Sequence, residues 1–216
     1  MKSKALSFII SCFLLSLTSC EVNCNDNTYD WRLPFSVSPM KDTLLVGDTI
    51  HVVSEFGKVW DRGNQRHYEL EDYDFFPIME ITDIGDTLEQ NPADQFDLIP
   101  TAHAGGWLVE NGLYVLRYSY DDDLYRLAYL VVMKDTGRFL LSNGSQLLSN
   151  HRGRQEFDGK CRRVGATAHG ALAHPDSANI QMLEDSPDPH YHDWVLQKPQ
   201  QRFHEFAGFA FYVKPR

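Results

Sequence analysis

Leu113-Tyr114-Val115-Leu116-Arg117-Tyr118-Ser119-Tyr120, then Asp121-Asp122-Asp123, then Leu124-Tyr125-Arg126-Leu127-Ala128-Tyr129-Leu130-Val131-Val132-Met133 is the stretch that decides the fold. In the first run Tyr114, Leu116, Tyr118 and Tyr120 fall on one side of a period-two repeat, the repeat of a strand with one face buried. The second run is apolar nearly throughout and rich in aromatic and β-branched residues, so we expect a strand covered on both faces. Three aspartates between two such runs form the polar tip of a β-hairpin.

Strands continue on both sides of this hairpin. Thr49 to Phe56 puts Ile50, Val52 and Phe56 on one face and His51, Val53 and Glu55 on the other. Gly47-Asp48 is a turn joining it to Thr43–Val46. Phe75 to Ile84 reads as a strand whose start Pro77 confines to an edge or a bulge, and Asp94 to Pro100 as a shorter one. After Leu141 the texture changes. Ser142 to Ser149 is rich in Ser, Asn and Gly, and His151 to Arg163 is locally basic. Asn179–Asp185 and Tyr191–Lys198 have the look of short helices, with Ser177 and Asp188 as starts and Pro199 as a stop. Phe209-Ala210-Phe211-Tyr212-Val213 is apolar on both faces and should close a sheet.

The beginning of the chain reads differently. Lys2 and Lys4 precede the charge-free apolar run Ala5–Leu17, which is short for a membrane span and ends in Leu17-Thr18-Ser19-Cys20. That order is a secretory signal peptide over residues 1–19. Its end resembles the lipobox of bacterial lipoproteins, in which the cysteine thiol accepts a diacylglycerol, and the resemblance implies cleavage before Cys20 and acylation of it. Glu21 in the next position implies an outer-membrane address, on either side of that membrane, because an aspartate there marks inner-membrane retention. The remaining chain carries 18 basic against 30 acidic residues, a formal charge of −12. That excess opposes binding to nucleic acid. Of the four cysteines, Cys12 is removed and Cys20 is acylated. Cys24 and Cys161 are left, either as a disulfide formed in an oxidising compartment or as two free thiols.

Two local patterns resemble immunoglobulin-like domains. Leu45-Val46-Gly47-Asp48-Thr49-Ile50-His51-Val52 is similar to the glycine turn leading into their second strand. Glu110-Asn111-Gly112-Leu113-Tyr114-Val115-Leu116 is similar to their tyrosine corner, with Leu116 where antibody domains place a cysteine. The chain also resembles the uncharacterised lipoproteins abundant in Bacteroidota, through Val46-Gly47-Asp48-Thr49-Ile50 and Tyr73-Asp74-Phe75. These resemblances imply an immunoglobulin-like antiparallel β-sandwich over residues 34–141. A lipidated tether over 20–33 precedes it, and a mixed α/β extension over 142–216 packs on it.

Chemistry is sparser. His169, His174, His190 and His192 lie within 24 residues, near Asp176 and Asp188. Imidazoles and carboxylates of this kind hold zinc with one position open for water. The turn Asp121-Asp122-Asp123 offers the oxygens calcium takes, and serves equally as a solvated hairpin tip. Trp31, Trp60, Trp107 and Trp194 are candidates for stacking on sugar rings or for packing. No nucleophile elbow or phosphate loop occurs, and no cofactor is implied. Two readings follow. The first is a non-enzymatic accessory or binding lipoprotein, held to the membrane by its lipid, with an envelope protein or glycan as partner. The second is a metal-dependent hydrolase using the histidine cluster. Cys20→Ala should abolish acylation and shift the protein from the membrane to the soluble fraction, since the tether offers no other anchor. Labelling with a palmitate analogue checks this, and a labelled Cys20→Ala form would contradict it.

Overall fold

A computed structural model describes residues 28–71, 75–85, 94–101, 104–110, 113–143, 146–147 and 165–216. The deciding hairpin is present. β9 (Leu113–Asp121) and β10 (Leu124–Met133) are joined by Asp122 and Asp123, with φ of 51° and 58°. Two consecutive left-handed residues make the turn whose twist matches the flanking strands, and aspartate tolerates that conformation better than most side chains. Tyr125, Leu127, Tyr129, Val131 and Met133 of β10 are all buried. The expectation that β10 is covered on both faces is corrected, because its other side chains are half-exposed. Its neighbours β3 (Thr49–Phe56) and β7 (Phe96–Pro100) pair with it edge to edge, which satisfies the backbone without covering that face. Val53 and Ile99 lie exposed on these two strands.

The expected tether is corrected at its end. β1 runs Thr28–Ser38, so residues 28–33 belong to the fold. Tyr29, Trp31, Leu33, Phe35 and Val37 alternate inward, and Trp31 is fully buried. Along one edge β1 runs parallel to β13 (Gly165–Leu172). Along the other, Trp31 and Arg32 pair with β4 (Lys58–Asp61), and Ser36–Ser38 pair with β3. Pro34, which has no N–H to donate, falls between those two partners.

The described residues are mainly β, with fourteen strands joined by hydrogen bonds, ten of them along one path and four branching from it. Its backbone order is β12-β13-β1-β3-β10-β9-β6-β11-β14-β2, where β2 is Thr43–Leu45, β6 Ile78–Asp83, β11 Gly137–Asn143, β12 Gln146–Leu147 and β14 Phe209–Lys214. β5 (Arg66–Glu69) extends β4, and β8 (Ala104–Glu110) flanks β9. β6 begins directly after Pro77. The apolar chain end takes an interior place: β14 lies between β11, antiparallel, and β2, parallel. Phe209, Ala210, Phe211 and Val213 are buried there.

The C-terminal region contributes strands to this path together with short helical turns, none of them a long α-helix. A 3-10 turn spans Ile180–Leu183, and π-helical turns span His190–Val195 and Gln200–His204. Pro199, expected to stop a helix, caps the start of the second π-helical turn, a place where its missing N–H costs nothing. No helix among the described residues is long and apolar enough to cross a membrane.

One cluster of apolar side chains fills the interior. Phe56 stacks on Tyr125 at 5.1 Å, and Phe75 meets Tyr125 edge-on at 5.0 Å. Buried phenols find partners: Tyr118 with Ser54 at 2.6 Å, Tyr125 with the Leu70 carbonyl at 3.2 Å, Tyr129 with Asn143 at 2.6 Å. Unbonded hydroxyls at these depths would forfeit most of what ring burial contributes. Phe211→Ala should destabilise by about 3–5 kcal/mol, as large-to-small changes at packed aromatic sites do. Truncation after Gly208 should leave a protease-sensitive product. Urea denaturation and limited proteolysis check both, and an unchanged melting profile for the truncated chain would contradict the interior placement of β14.

Candidate functional site

The histidines expected to converge are dispersed. His169, on β13, faces Asp30 at 3.7 Å. His174 and Asp176 are exposed at the 3-10 turn Pro175–Ser177. His190 stacks on Trp194 with ring centroids 4.7 Å apart, while the Nδ1 of His192 lies 2.8 Å from the Ser186 carbonyl. Asp188 accepts from the His190 backbone N–H and so shapes the turn. Among the described residues no three His, Cys, Asp or Glu side chains gather where they could hold a metal ion. The zinc site expected from His169, His174, His190, His192 and Asp176 is therefore not assembled, since a local run of histidines does not fix which way its turns point. Cys20, Cys24 and Cys161 lie outside the described residues, as do Tyr73, Asp74 and the basic run to Arg163. Tyr114 is buried against Phe96 at 5.7 Å. Asn111 and Gly112, on which its reading as a tyrosine corner leans, are outside the described residues.

His169 instead joins a group the sequence did not announce. Glu205, nearly buried, accepts from Arg32 at 3.1 Å and Arg62 at 2.5 Å. Asp30 receives the Arg62 Nε at 2.7 Å and pairs with Arg32 at 3.2 Å. Asp61, fully buried, accepts from the backbone N–H groups of Asp30 and Gly63 at 3.1 and 2.9 Å, which fixes the turn carrying Arg62. Burial pushes Glu205 up, but the two guanidinium groups outweigh it and hold its carboxyl below the ordinary range. Desolvation, aided by Arg32, lowers His169. Asp30 and Glu205 pair with Arg32 and Arg62, so these four residues serve as a clasp between chain regions. Glu205 is 173 residues from Arg32, a separation that no local pattern reveals.

The open site is a groove on the outer face of β6 and β11, with a volume of about 230 Å³. Its floor is a strip of two directly opposed pairs, Glu80 with Ser142 and Thr82 with Leu140. The alternation that sends Met79, Ile81, Phe139 and Leu141 to one face of the sheet sends these four to the other, where Leu140 is still buried and Glu80, Thr82 and Ser142 are at least partly exposed. The two π-helical turns form the wall. There the Arg202 guanidinium lies 3.8 Å over the Trp194 ring and donates to the Trp194 carbonyl. Trp194 stays 47 % exposed. Phe203, fully buried, closes the base against Gly208, where an added Cβ would come within 2.9 Å of its ring. Ser186 fastens the segment leading into the wall to the end of β6 through a 2.8 Å bond to the Ile84 carbonyl. Trp194 was a candidate for stacking on a sugar from sequence. Glu80 and Ser142 were not, because their apposition comes from strand register.

No family model, curated protein or solved structure matches the chain.

The clasp makes stability depend on pH. His169 and His204 are both lowered by burial, so the unfolded chain takes up protons first and stability falls as pH drops below the ordinary histidine value of 6.5. Glu205 is depressed, so its contribution is complete above the ordinary 4.5 and is lost as pH falls through its lower folded value. Urea midpoints measured from pH 8 to 3 should therefore fall in two stages. His169→Gln should shrink the first stage. Glu205→Gln should shrink the second and cost about 2 kcal/mol at neutral pH. A midpoint independent of pH over this range would contradict the assignment.

Proposed function

We propose that the chain is a membrane-anchored, extracytoplasmic lipoprotein that works by binding and is not itself an enzyme. In this reading acylated Cys20 holds it to the outer membrane, and an immunoglobulin-like sandwich presents the groove to a component of the envelope. The N-terminal pattern Lys2 to Cys20 supports the anchor. The alternating strands β3, β9 and β10 about one shared core support the sandwich arrangement. The observation that carries the binding role is the groove, where an exposed indole, a guanidinium and a carboxylate share one concave surface. Apolar walls with a few placed polar groups are what small-molecule sites have in common.

The test uses full-length chain bearing Cys20→Ala, so that lipid does not mask binding. Wild-type groove protein should sediment with purified cell-envelope fragments. Ser142→Trp, which fills the groove from its floor, should reduce retention at least tenfold with an unchanged urea midpoint. Equal retention of the two forms would overturn the reading.

A further inference from the structure

We propose that the groove receives a single neutral sugar ring, as a free unit or as the end of a glycan chain. The inference rests on the reading of the groove as a binding site and adds the class of ligand.

Size sets the first limit. At about 230 Å³ the groove is below the range of about 300–1,000 Å³ that holds drug-sized ligands, so it suits one ring and not an extended molecule. Polarity sets the second. Glu80 offers only acceptors, Arg202 only donors, and the hydroxyls of Thr82 and Ser142 offer both. A ligand spanning this floor and wall must donate and accept around its rim, which every sugar hydroxyl does. Charge sets the third. A phosphate or other polyanion would meet Glu80, and a polycation would meet Arg202. A fatty chain would strip water from both groups and return no hydrogen bond. Shape sets the fourth. His190, Trp194 and the Arg202 guanidinium are planar groups laid on one another, and the part of Trp194 left exposed, 47 % of it, is an apolar aromatic surface on the wall. A pyranose has a flat C–H face, with hydroxyls at its rim, that lies against such a surface. The wall is also held in place before any ligand arrives: Arg202 is tied to the Trp194 carbonyl and ring together, which reduces the ordering cost of binding.

The experiment is ligand-observed saturation-transfer NMR on full-length Cys20→Ala protein. The probes are methyl glycosides of glucose, galactose, mannose and N-acetylglucosamine, with glucuronate, glucosamine, inorganic phosphate and octanoate as the contrasting set. Neutral glycosides should bind with dissociation constants on the order of millimolar, as expected for ligands of so few atoms. Trp194→Ala, Glu80→Gln and Arg202→Met should each weaken binding about tenfold, and Ser142→Trp should abolish it. Urea midpoints of the four variants serve as the folding control. Three results would overturn the proposal: no neutral glycoside binding up to tens of millimolar, glycoside binding that survives Ser142→Trp, or a preference for a member of the contrasting set. Envelope retention that still depends on Ser142 would then show that the groove binds something other than a sugar. Retention indifferent to Ser142 would show that the binding reading itself fails.

Discussion

β14 has neighbours on both edges, β11 on one and β2 on the other, although β2 lies far from it in sequence. Each backbone group of a strand in such a position must be paired, because leaving one buried and unpaired costs as much as a lost hydrogen bond. The three-residue β2 has its ladder on β14, and β14 buries Phe209, Phe211 and Val213 in the common core. The turn after β2 is bonded to the far end of β10 through Gly47 and Met133. β14 is thus a structural member, and residues some 170 positions apart must meet before this side of the molecule is complete. Such long-range closure is entropically expensive before it is rewarded, so the apolar surface that β14 buries has to repay it.

The charged clasp addresses the same topological problem at another place. Glu205 precedes β14 by a few residues, Arg32 and Asp30 are on the first strand, and Arg62 is in the turn after β4. Four charges in a half-buried site are weak evidence for stability taken alone, because desolvation cancels much of their attraction. Their geometric effect is clearer. Two guanidinium groups on one carboxylate fix the position of the chain immediately before β14, and the same segment carries Arg202 and Phe203 of the groove. The groove wall is therefore anchored at one end by the clasp and at the other by Ser186 on the Ile84 carbonyl.

A rigid wall of irregular helical turns over a regular sheet suits recognition. The sheet supplies fixed spacing for Glu80, Thr82, Leu140 and Ser142, and the turns supply side chains that a strand could not aim at that surface. π-Helical geometry, wider than the α-helix, is uncommon and is found frequently at functional sites. In this chain it brings His190, Trp194 and Arg202 into one stack.

Much of the strand content was legible in the sequence. The alternation in Thr49–Phe56 and Leu113–Tyr120, the aspartate turn and the apolar run Phe209–Val213 are local signals, and each corresponds to a strand or turn of the fold. The first strand was hidden because an Asn- and Asp-rich approach and Pro34 mask its alternation, and Pro34 makes sense only beside its two successive partners. The dispersal of the histidines, the pairing of Glu205 with Arg32 and Arg62, and the apposition of Glu80 with Ser142 were decided by tertiary structure alone. Hydrophobic period records which face of a segment is buried, but it carries no information about which distant segment lies beside it. The register between β6 and β11 and the direction of the π-helical turns are set by packing across the whole core, and the groove exists only where those two meet.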